Sequence, residues 1–332
     1  MRCITLILSA LLVACSGDDA ATPAHWSLLA EGRASSLLGV WGNSATDVWV
    51  VGADQRDGTG PTVLHYDGAA WTRLATGETS GDLWWVSGVG NSVFLGGSRG
   101  VLLRYRSGTF EKLATPNTNV VFGIWGSAPD DVWAVGGLPG GSGAFIWRYD
   151  GTTVTSVAGL PADLASVGTV WKVNGCAAND VWMSATSSSV LHYDGVSLVR
   201  ETVGAADQSL FSIACDQNRV TTAGGNTTNG VLYERDATAW TLRTPTADGP
   251  VLRGIAVSGE HAYAVGQFGA VLRRQDGRWV AESHGLTTES LHAAWIDPDG
   301  GLWTVGGRFD RAQPSDGMML YRGTAEVLPV GP

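Results

Sequence analysis

The chain is poor in basic residues, and beyond its first residues it has no apolar run long enough to cross a membrane. Of 332 residues, 21 are Lys or Arg and 31 are Asp or Glu, so the formal net charge is −10. Nucleic acids and anionic membranes are recognised by basic surfaces, and neither is therefore expected as a partner. A transmembrane helix needs roughly 18 or more consecutive apolar residues, and none follows the N-terminal segment.

Helical periodicity and familiar catalytic motifs are also missing. The sequence has no Gly-x-Ser-x-Gly, no His-Glu-x-x-His and no phosphate-binding glycine loop. It has no Cys-x-x-Cys with a histidine nearby, so a zinc site is not expected. Residues 297–303 resemble a calcium loop or a sialidase Asp-box, but they lack the further ligands and the closing Glu, and they are predicted to form a turn between two strands. We therefore expect no catalytic residue, no metal and no cofactor.

What the chain does contain is a repeat rich in glycine and tryptophan. Residues 41–52, WGNSATDVWVVG, return as residues 125–136, WGSAPDDVWAVG, and five weaker copies follow the same frame. The central positions of consecutive copies lie 39 to 49 residues apart, a spacing typical of a four-stranded propeller blade. These equivalent positions are Trp49, Phe94, Trp133, Trp182, Thr221, Tyr263 and Trp303.

Each copy contains four short segments with strand character, which we name strands a to d. In the first copy they are residues 38–41, 48–51, 63–66 and 71–74, and Asp67-Gly68 between the last two indicates a tight hairpin. The sequence therefore predicts an all-β, seven-bladed β-propeller with four antiparallel strands per blade. The segment around Trp26 resembles a strand d that has no blade of its own, and we expect it to close the ring on blade seven.

The first 15 residues do not belong to the repeat. Arg2 and the apolar residues 4–12 are typical of a signal peptide, and Leu12-Val13-Ala14-Cys15 resembles a bacterial lipobox. That resemblance implies cleavage before Cys15, lipidation of its sulfur and stable anchoring by two or three acyl chains. The alternatives are a plain secretory signal and a buried apolar strand. The expected location is a bacterial cell envelope, at the outer membrane, facing the periplasm or the surface.

The repeat unit itself, Trp-Gly-Ser, Asp-Val-Trp-Ala-Val-Gly, His-Tyr-Asp-Gly and Trp, resembles that of bacterial secreted and lipid-anchored propeller proteins. The resemblance covers nearly all of residues 24–328 and implies the fold, but it carries no common chemistry. The expected organisation is a signal peptide at 1–14, a lipidated tether at 15–24, the propeller at 25–328 and a C-terminal tail at 329–332.

Tryptophan and cysteine have structural explanations in this frame. Trp41, Trp125 and Trp295 occupy one repeat position, and recurrence at one position favours packing over ligand stacking. Cys176 and Cys215 both follow strand a, in blades four and five, so adjacent blades bring them near each other. An oxidising compartment would allow a disulfide between them. Two free thiols are the alternative, since equivalent sites can exceed the Cα distance that a disulfide spans.

Two long, charged loops connect strands b and c, at residues 53–61 in blade one and 308–316 in blade seven. These blades are neighbours in a closed ring, so the loops are expected to meet on one rim. Loops on a rigid scaffold often carry binding residues, although a solvated rim without a ligand would look the same. The candidate rim residues are Asp54, Arg56, Asp57, Arg308, Asp310, Arg311 and Asp316.

The function predicted from these features is a non-catalytic, monomeric scaffold that binds an envelope or extracellular protein or a glycan, attached to a membrane only through its lipid. The alternative is a carbohydrate-active or lyase-type propeller enzyme, which would need converging carboxylates or a histidine at the central channel. A spacer protein without a ligand is a third possibility. The apolar residues expected on strands a favour a scaffold, namely Leu38, Val40, Val121, Ile124, Ile213 and Ile255.

Overall fold

The chain forms seven four-stranded antiparallel sheets arranged around one axis. The computed structural model describes residues 23–158, 164–205, 207–217, 219–227, 229–245 and 248–331. The first strands of neighbouring sheets contact one another in a closed cycle that runs from blade one to blade seven and back. The predicted seven-bladed β-propeller is therefore confirmed.

Strands a to d of each blade are counted outward from the axis. Blades one and two consist of β2 Leu37–Ser44, β3 Asp47–Asp54, β4 Pro61–Tyr66, β5 Trp71–Arg73, β6 Leu83–Val89, β7 Ser92–Gly97, β8 Leu102–Arg106 and β9 Thr109–Lys112. Blades three and four consist of β10 Val120–Ala128, β11 Asp131–Leu138, β12 Ser142–Tyr149, β13 Val154–Ser156, β14 Val170–Ala177, β15 Asp180–Ala185, β16 Ser189–Tyr193 and β17 Leu198–Thr202.

The remaining blades follow the same order, except at the closure. Blades five and six consist of β18 Ser209–Asp216, β19 Arg219–Gly225, β20 Gly230–Asp236, β21 Ala239–Leu242, β22 Leu252–Ser258, β23 His261–Gly266, β24 Val271–Gln275 and β25 Arg278–Ala281. Blade seven consists of β26 Leu291–Ile296, β27 Leu302–Arg308, β28 Ser315–Gly323 and β1 His25–Arg33. Three short 3₁₀ helices lie at Ser98–Gly100, Leu164–Val167 and Gln267–Gly269.

Ring closure is made by β1, which supplies the outer strand of blade seven. It pairs with β28 in antiparallel register, with Trp26 opposite Arg322, as the sequence predicts. The segment predicted as a tail returns to this strand, because the Val330 N–H donates to the Leu29 carbonyl at 2.7 Å. The N-terminal and C-terminal segments therefore share blade seven and leave no unpaired strand edge between the first and last blades.

Strand b forms the core of each blade. Its central residues are buried between neighbouring sheets, and Trp133, Tyr263 and Trp303 are at most 1% exposed. Burying an aromatic side chain of this size contributes about 4 to 6 kcal/mol of hydrophobic free energy before opposing terms are subtracted. This figure is an upper bound, because the unfolded chain already buries some of the same surface. The recurrence of large residues at this position is therefore explained by packing between blades.

The motif around strand b is held by a side-chain cluster within the blade. In blade one, the Trp49 indole N–H donates to Asp47 Oδ1 at 3.2 Å, and His65 Nε2 bonds the same oxygen at 2.8 Å. The His65 ring also stacks on Trp49, with centroids 4.3 Å apart. Blade four repeats the arrangement with Asp180, Trp182 and His192. The histidine of strand c is therefore part of the blade architecture.

Blades five to seven are tied to their neighbours by a different cluster. Glu234 of blade five accepts from Arg274 at 2.8 Å and from the Trp279 indole N–H at 3.0 Å, both on blade six. Trp26 of β1 donates to Glu282 of blade six in the same way, at 3.1 Å. Because Trp26 makes the contact that Trp279 makes one blade earlier, the closing strand occupies a true strand d position.

Candidate binding site at the propeller axis

Each strand a carries one extra residue where its pairing with strand b begins. In blade two, Leu83 pairs with Gly97 and Trp85 pairs with Gly96, which leaves Trp84 between them as a bulge. A bulge turns its side chain away from the face that strict alternation would give it. The seven bulge residues, which we call the axial ring, are Leu38, Trp84, Phe122, Trp171, Phe211, Arg253 and His292.

Four aromatic side chains of the axial ring contact one another in blade order. The centroid distances are 5.3 Å for Trp84 and Phe122, 4.9 Å for Phe122 and Trp171, and 5.5 Å for Trp171 and Phe211. These separations and their tilted geometries lie within the range that aromatic pairs prefer. One side of the axis is thus a continuous aromatic wall.

The other side of the axis is polar, and a loop residue completes it. The Arg253 guanidinium lies 4.1 Å from the Phe211 centroid and 5.8 Å from that of Phe309, in the b–c loop of blade seven. Phe309 in turn lies 4.7 Å from the His292 ring, which is 5.7 Å from Trp84. The contacts therefore form a closed circle around a cavity of about 230 Å³, which we call the axial well.

Lys172 forms the floor of the axial well. It is 5% exposed, and its side chain reaches from blade four to donate to the Phe122 carbonyl at 2.6 Å and to lie 4.2 Å from the Trp85 ring. It lines both the axial well and a second cavity of about 320 Å³ on the far side of the axis. Burial lowers the pKa of Lys172 from 10.5 to about 7, because the charged form loses its hydration.

The other titratable groups of the well also respond to burial. His292 Nδ1 donates to the Leu38 carbonyl. Burial, together with the positive charges of Lys172 and Arg253, holds the pKa of His292 well below its ordinary value, so the ring is neutral at pH 7. Burial also lowers the pKa of Arg253, and the nearby Asp310 carboxylate opposes that shift.

Two buried donors at the well have no partner among the described residues. They are Arg253 Nε and the Trp171 indole Nε1. A buried donor that is left unsatisfied costs about 1 to 3 kcal/mol. Both atoms are shielded from the open space of the well, and an anionic group entering the well would meet the charge of Arg253.

At the opposite end of the axis, tryptophans of strand a pack against glycines of the next blade around the second cavity. A Cβ atom at Gly88 would lie 2.0 Å from the Trp41 ring of the preceding blade. Trp125 packs on Gly175 of the next blade in the same way. Cys176 and Cys215 are joined by a disulfide, with Cα atoms 5.2 Å apart. Asp180 lies near them, but cysteines bonded to each other offer no thiolate for a metal.

The two charged loops predicted to form a rim do meet. Arg56 in the blade-one loop donates to the Ala312 carbonyl of the blade-seven loop at 2.5 Å. Asp54 is buried, and its carboxylate accepts the N–H groups of Arg56 at 2.7 Å and Gly81 at 3.0 Å. Asp54 therefore organises the loop and is not exposed to a partner.

The other rim charges differ in their surroundings. Asp57 accepts from the N–H and hydroxyl of Thr59, and these bonds lower its pKa. Arg308 pairs with Glu289 at 2.7 Å and with Asp316 at 3.5 Å. Two charges are left for a partner. Asp310 is exposed and lines the axial well, and Arg311 has no ion pair within the described part of the chain.

The axial ring was missed by sequence reasoning because of the bulge. Strict alternation predicts small or apolar side chains at the axis, and Val40, Ile124, Ile213 and Ile255 do line the second cavity. At the axial well, the side chains that face the axis are the bulge residues, which strict alternation does not predict. A usable signal exists in four consecutive blades, where an aliphatic residue at the start of strand a is followed at once by an aromatic one. The pairs are Leu83-Trp84, Val121-Phe122, Val170-Trp171 and Leu210-Phe211.

Comparison with known proteins identifies the fold without a family. No protein-family model matches the chain, and no curated protein matches it. Among solved structures, YCF48 from Cyanidioschyzon merolae is similar over 92% of this chain and 100% of its own, with 15% identity and a TM-score of 0.68. A structure described as YCF48 bound to D1 peptide covers 92% of this chain and 96% of its own, with 15% identity and a TM-score of 0.67.

Two further propellers are similar at lower identity. The Cps50 (Swd1) propeller domain of Myceliophteria thermophila covers 90% of this chain and 99% of its own, with 11% identity and a TM-score of 0.62. U3-55K covers 90% of this chain and 98% of its own, with 9% identity and a TM-score of 0.67. At such identities the likeness establishes the propeller fold alone.

The location predicted from the first 15 residues is contradicted by these comparisons. The similar structures are components of chloroplast, nuclear and cytosolic complexes, and none is a bacterial envelope lipoprotein. Cys15 and the apolar segment before it lie outside the described residues. The resemblance of the repeat to that of secreted propeller proteins gave no independent support for the location. The repeat determines how blades pack and carries no information about a compartment.

Within the described residues, no helix combines the length and apolar character needed to cross a bilayer.

Proposed function

We propose that this chain is a non-catalytic propeller module that binds a peptide segment of a partner protein in the axial well. The observation that carries the proposal is the closed circle of aromatic and cationic side chains around an open cavity. Aromatic and arginine side chains in a desolvated pocket are the groups that dominate protein interfaces energetically.

The size of the well supports a peptide side chain as the occupant. Its volume of about 230 Å³ is below the roughly 300–1,000 Å³ of pockets that take drug-sized ligands or cofactors. One of the similar propellers, YCF48, has been solved with a peptide bound. A propeller scaffold of this shape is therefore compatible with peptide recognition.

A propeller enzyme is less well supported by the same cavity. Glycoside hydrolysis generally needs a pair of carboxyl groups flanking the scissile bond. Of the described residues that line the axial well, Asp310 is the one carboxylate, and the second cavity is lined by none. The buried His292 bonds a backbone carbonyl and has no carboxylate partner described.

The proposal is tested by selecting octapeptides from a random library on the full chain and measuring their affinity for variants by fluorescence anisotropy. Trp84→Leu and Phe211→Leu each remove one ring of the aromatic wall. We expect each to weaken the selected peptides at least about tenfold, since pocket-filling aromatic contacts are commonly worth more than 1 kcal/mol.

The matched control is Trp125→Leu, which removes a half-buried tryptophan from strand a at the other end of the axis. It should leave peptide affinity within about twofold. Binding that is insensitive to Trp84 and Phe211, or that follows Trp125, would place the binding surface elsewhere and overturn the proposal.

A further inference from the structure

Arg253 is the charged group that lies among the aromatic rings of the axial well. Arg253 forms no ion pair with any described residue, although Asp310 lies close enough to influence its charge. Its guanidinium contacts the rings of Phe211 and Phe309. Its Nε has no hydrogen-bond partner among the described residues. A guanidinium held between two rings keeps its in-plane N–H groups available for an oxygen acceptor.

Lys172 lies beside the same space. Its Nζ closes the floor of the well and already donates to the Phe122 carbonyl, and the Trp171 indole N–H is buried. The Arg253 guanidinium is therefore the one permanently cationic group among the described residues that line the well. A carboxylate suits a guanidinium better than a neutral acceptor does, because charge-assisted hydrogen bonds are roughly twice as strong as neutral ones.

The shape of the well restricts how a polypeptide can supply that carboxylate. Lys172 lies between the two cavities, with its Nζ bonded to Phe122 and packed on Trp85. A chain cannot pass along the axis through this barrier. A chain end can enter, and a C-terminal residue brings a carboxylate and an adjacent side chain into the well together.

We propose that the axial well takes the C-terminal residue of a partner chain, with the terminal carboxylate on Arg253 and an apolar terminal side chain against Trp84 and Phe211. This inference rests on the proposed peptide-binding function. Capture of a terminal carboxylate is a known mode of peptide recognition. An internal Asp or Glu would supply the charge, but its short stem leaves the aromatic wall uncovered.

The test uses the full chain and three synthetic probes derived from one selected octapeptide with Phe at its C-terminus. The first probe has a free carboxylate, the second is amidated, and the third is amidated and carries Asp in place of the terminal Phe. We expect the free acid to bind at least about tenfold more tightly than either amide. Arg253→Gln should reduce the free acid to the affinity of the amide and leave the amide unchanged, whereas Arg253→Lys should retain part of the difference.

The control Arg99→Gln removes the same charge from another loop residue and should leave all three affinities unchanged. Equal binding of free acid and amide, with both still weakened by Trp84→Leu, would overturn the chain-end inference and leave the proposed function intact. Tightest binding by the Asp amide would assign the carboxylate to an internal side chain and also overturn it. Failure of every probe to bind would overturn both.

Discussion

The two ends of the propeller axis are built from the same seven strands a, but their side chains make different contacts. At one end, Trp41 and Trp125 fill the space left by glycines of the next blade, and a disulfide joins blades four and five. At the other end, the bulge residues form an open well in which Arg253 and Trp171 keep unpaired donors. Both ends contain a cavity, of about 320 Å³ at the first end and about 230 Å³ in the axial well. The first end is lined by contacts that join neighbouring blades, whereas the axial well is lined by an arginine that forms no ion pair with a described residue.

This difference separates contacts that join blades from side chains that line an open cavity. Buried polar groups are nearly always satisfied in folded proteins, and two of the eight buried side-chain polar atoms without a partner among the described residues belong to the axial ring. The following predictions test the contrast, beginning with the variant expected to have the largest effect.

The glycine–tryptophan contacts at the first end should be intolerant of a single methyl group. Gly88→Ala places a Cβ 2.0 Å from the tip of the half-buried Trp41 ring, so the ring must leave its position or the blades must shift. We expect a loss of about 3 kcal/mol or more in the free energy of unfolding, at the upper end for overpacking. Urea denaturation measures it. Gly140→Ala, where nothing lies within 4 Å, is the control, and similar stabilities for the two variants would contradict the packing argument.

Removing the disulfide should weaken the same end to a smaller extent. The bridge closes a loop with a sequence separation of 39 residues, for which the chain-entropy model gives about 4 kcal/mol as the contribution to stability. The double variant Cys176→Ser with Cys215→Ser should lose about 2 to 4 kcal/mol. Reductant should lower the wild type to the same level and leave the variant unchanged. Alkylation of both thiols in unreduced protein, followed by mass spectrometry, would show that the bridge is absent.

Lys172, between the two ends, should make stability depend on pH. Its pKa is about 7 in the folded state, against 10.5 as the ordinary value. Between these values the unfolded chain binds a proton that the folded chain does not, so the free energy of unfolding rises with pH by up to about 1.4 kcal/mol per unit. The difference between wild type and Lys172→Met should therefore rise from pH 7 to pH 10. A difference that stays flat from pH 7 to pH 10 would refute the assignment.

The smallest effect is expected at the edge of the open end. Asp310 is the carboxylate that lines the axial well, and its charge competes with an incoming anion for Arg253. Asp310→Asn should strengthen binding of the free-acid octapeptide about two- to fivefold without changing the amide. Glu326→Gln, an equal charge change in the outer C-terminal segment, should leave both unchanged. Weaker binding of the free acid by the Asp310 variant would argue against electrostatic competition.

Much of the fold could be predicted from the sequence because each blade repeats the same local requirements. The period of strand b, the Asp-Gly turns and the outer strand around Trp26 all follow from residues close together in the chain. Trp26 illustrates this well: its similarity to Trp71 predicts an outer strand, and its bond to Glu282 places it there. The meeting of the two long loops could also be predicted, since ring closure makes blades one and seven neighbours.

The character of those loops could not be predicted. Asp54 and Arg308 look like available charges in the sequence, but Asp54 accepts backbone N–H groups and Arg308 pairs with Glu289. A binding role for the rim stays a prediction, and its exposed members are Arg56, Asp57, Asp310 and Arg311. The partners of a charged loop residue are determined by the folded structure, because tertiary packing decides which groups lie within hydrogen-bond distance.

The sequence by itself determined the number of blades, their strand order and the way the ring closes, because these depend on a local pattern that recurs about every 40 residues. The tertiary structure alone decided what faces the axis. The axial ring takes one residue from each blade, and a one-residue bulge sets the direction of each side chain. A shift of one residue in a strand moves a side chain to the opposite face, so the surface that we propose as the binding site depends on the bulges, which local periodicity does not predict.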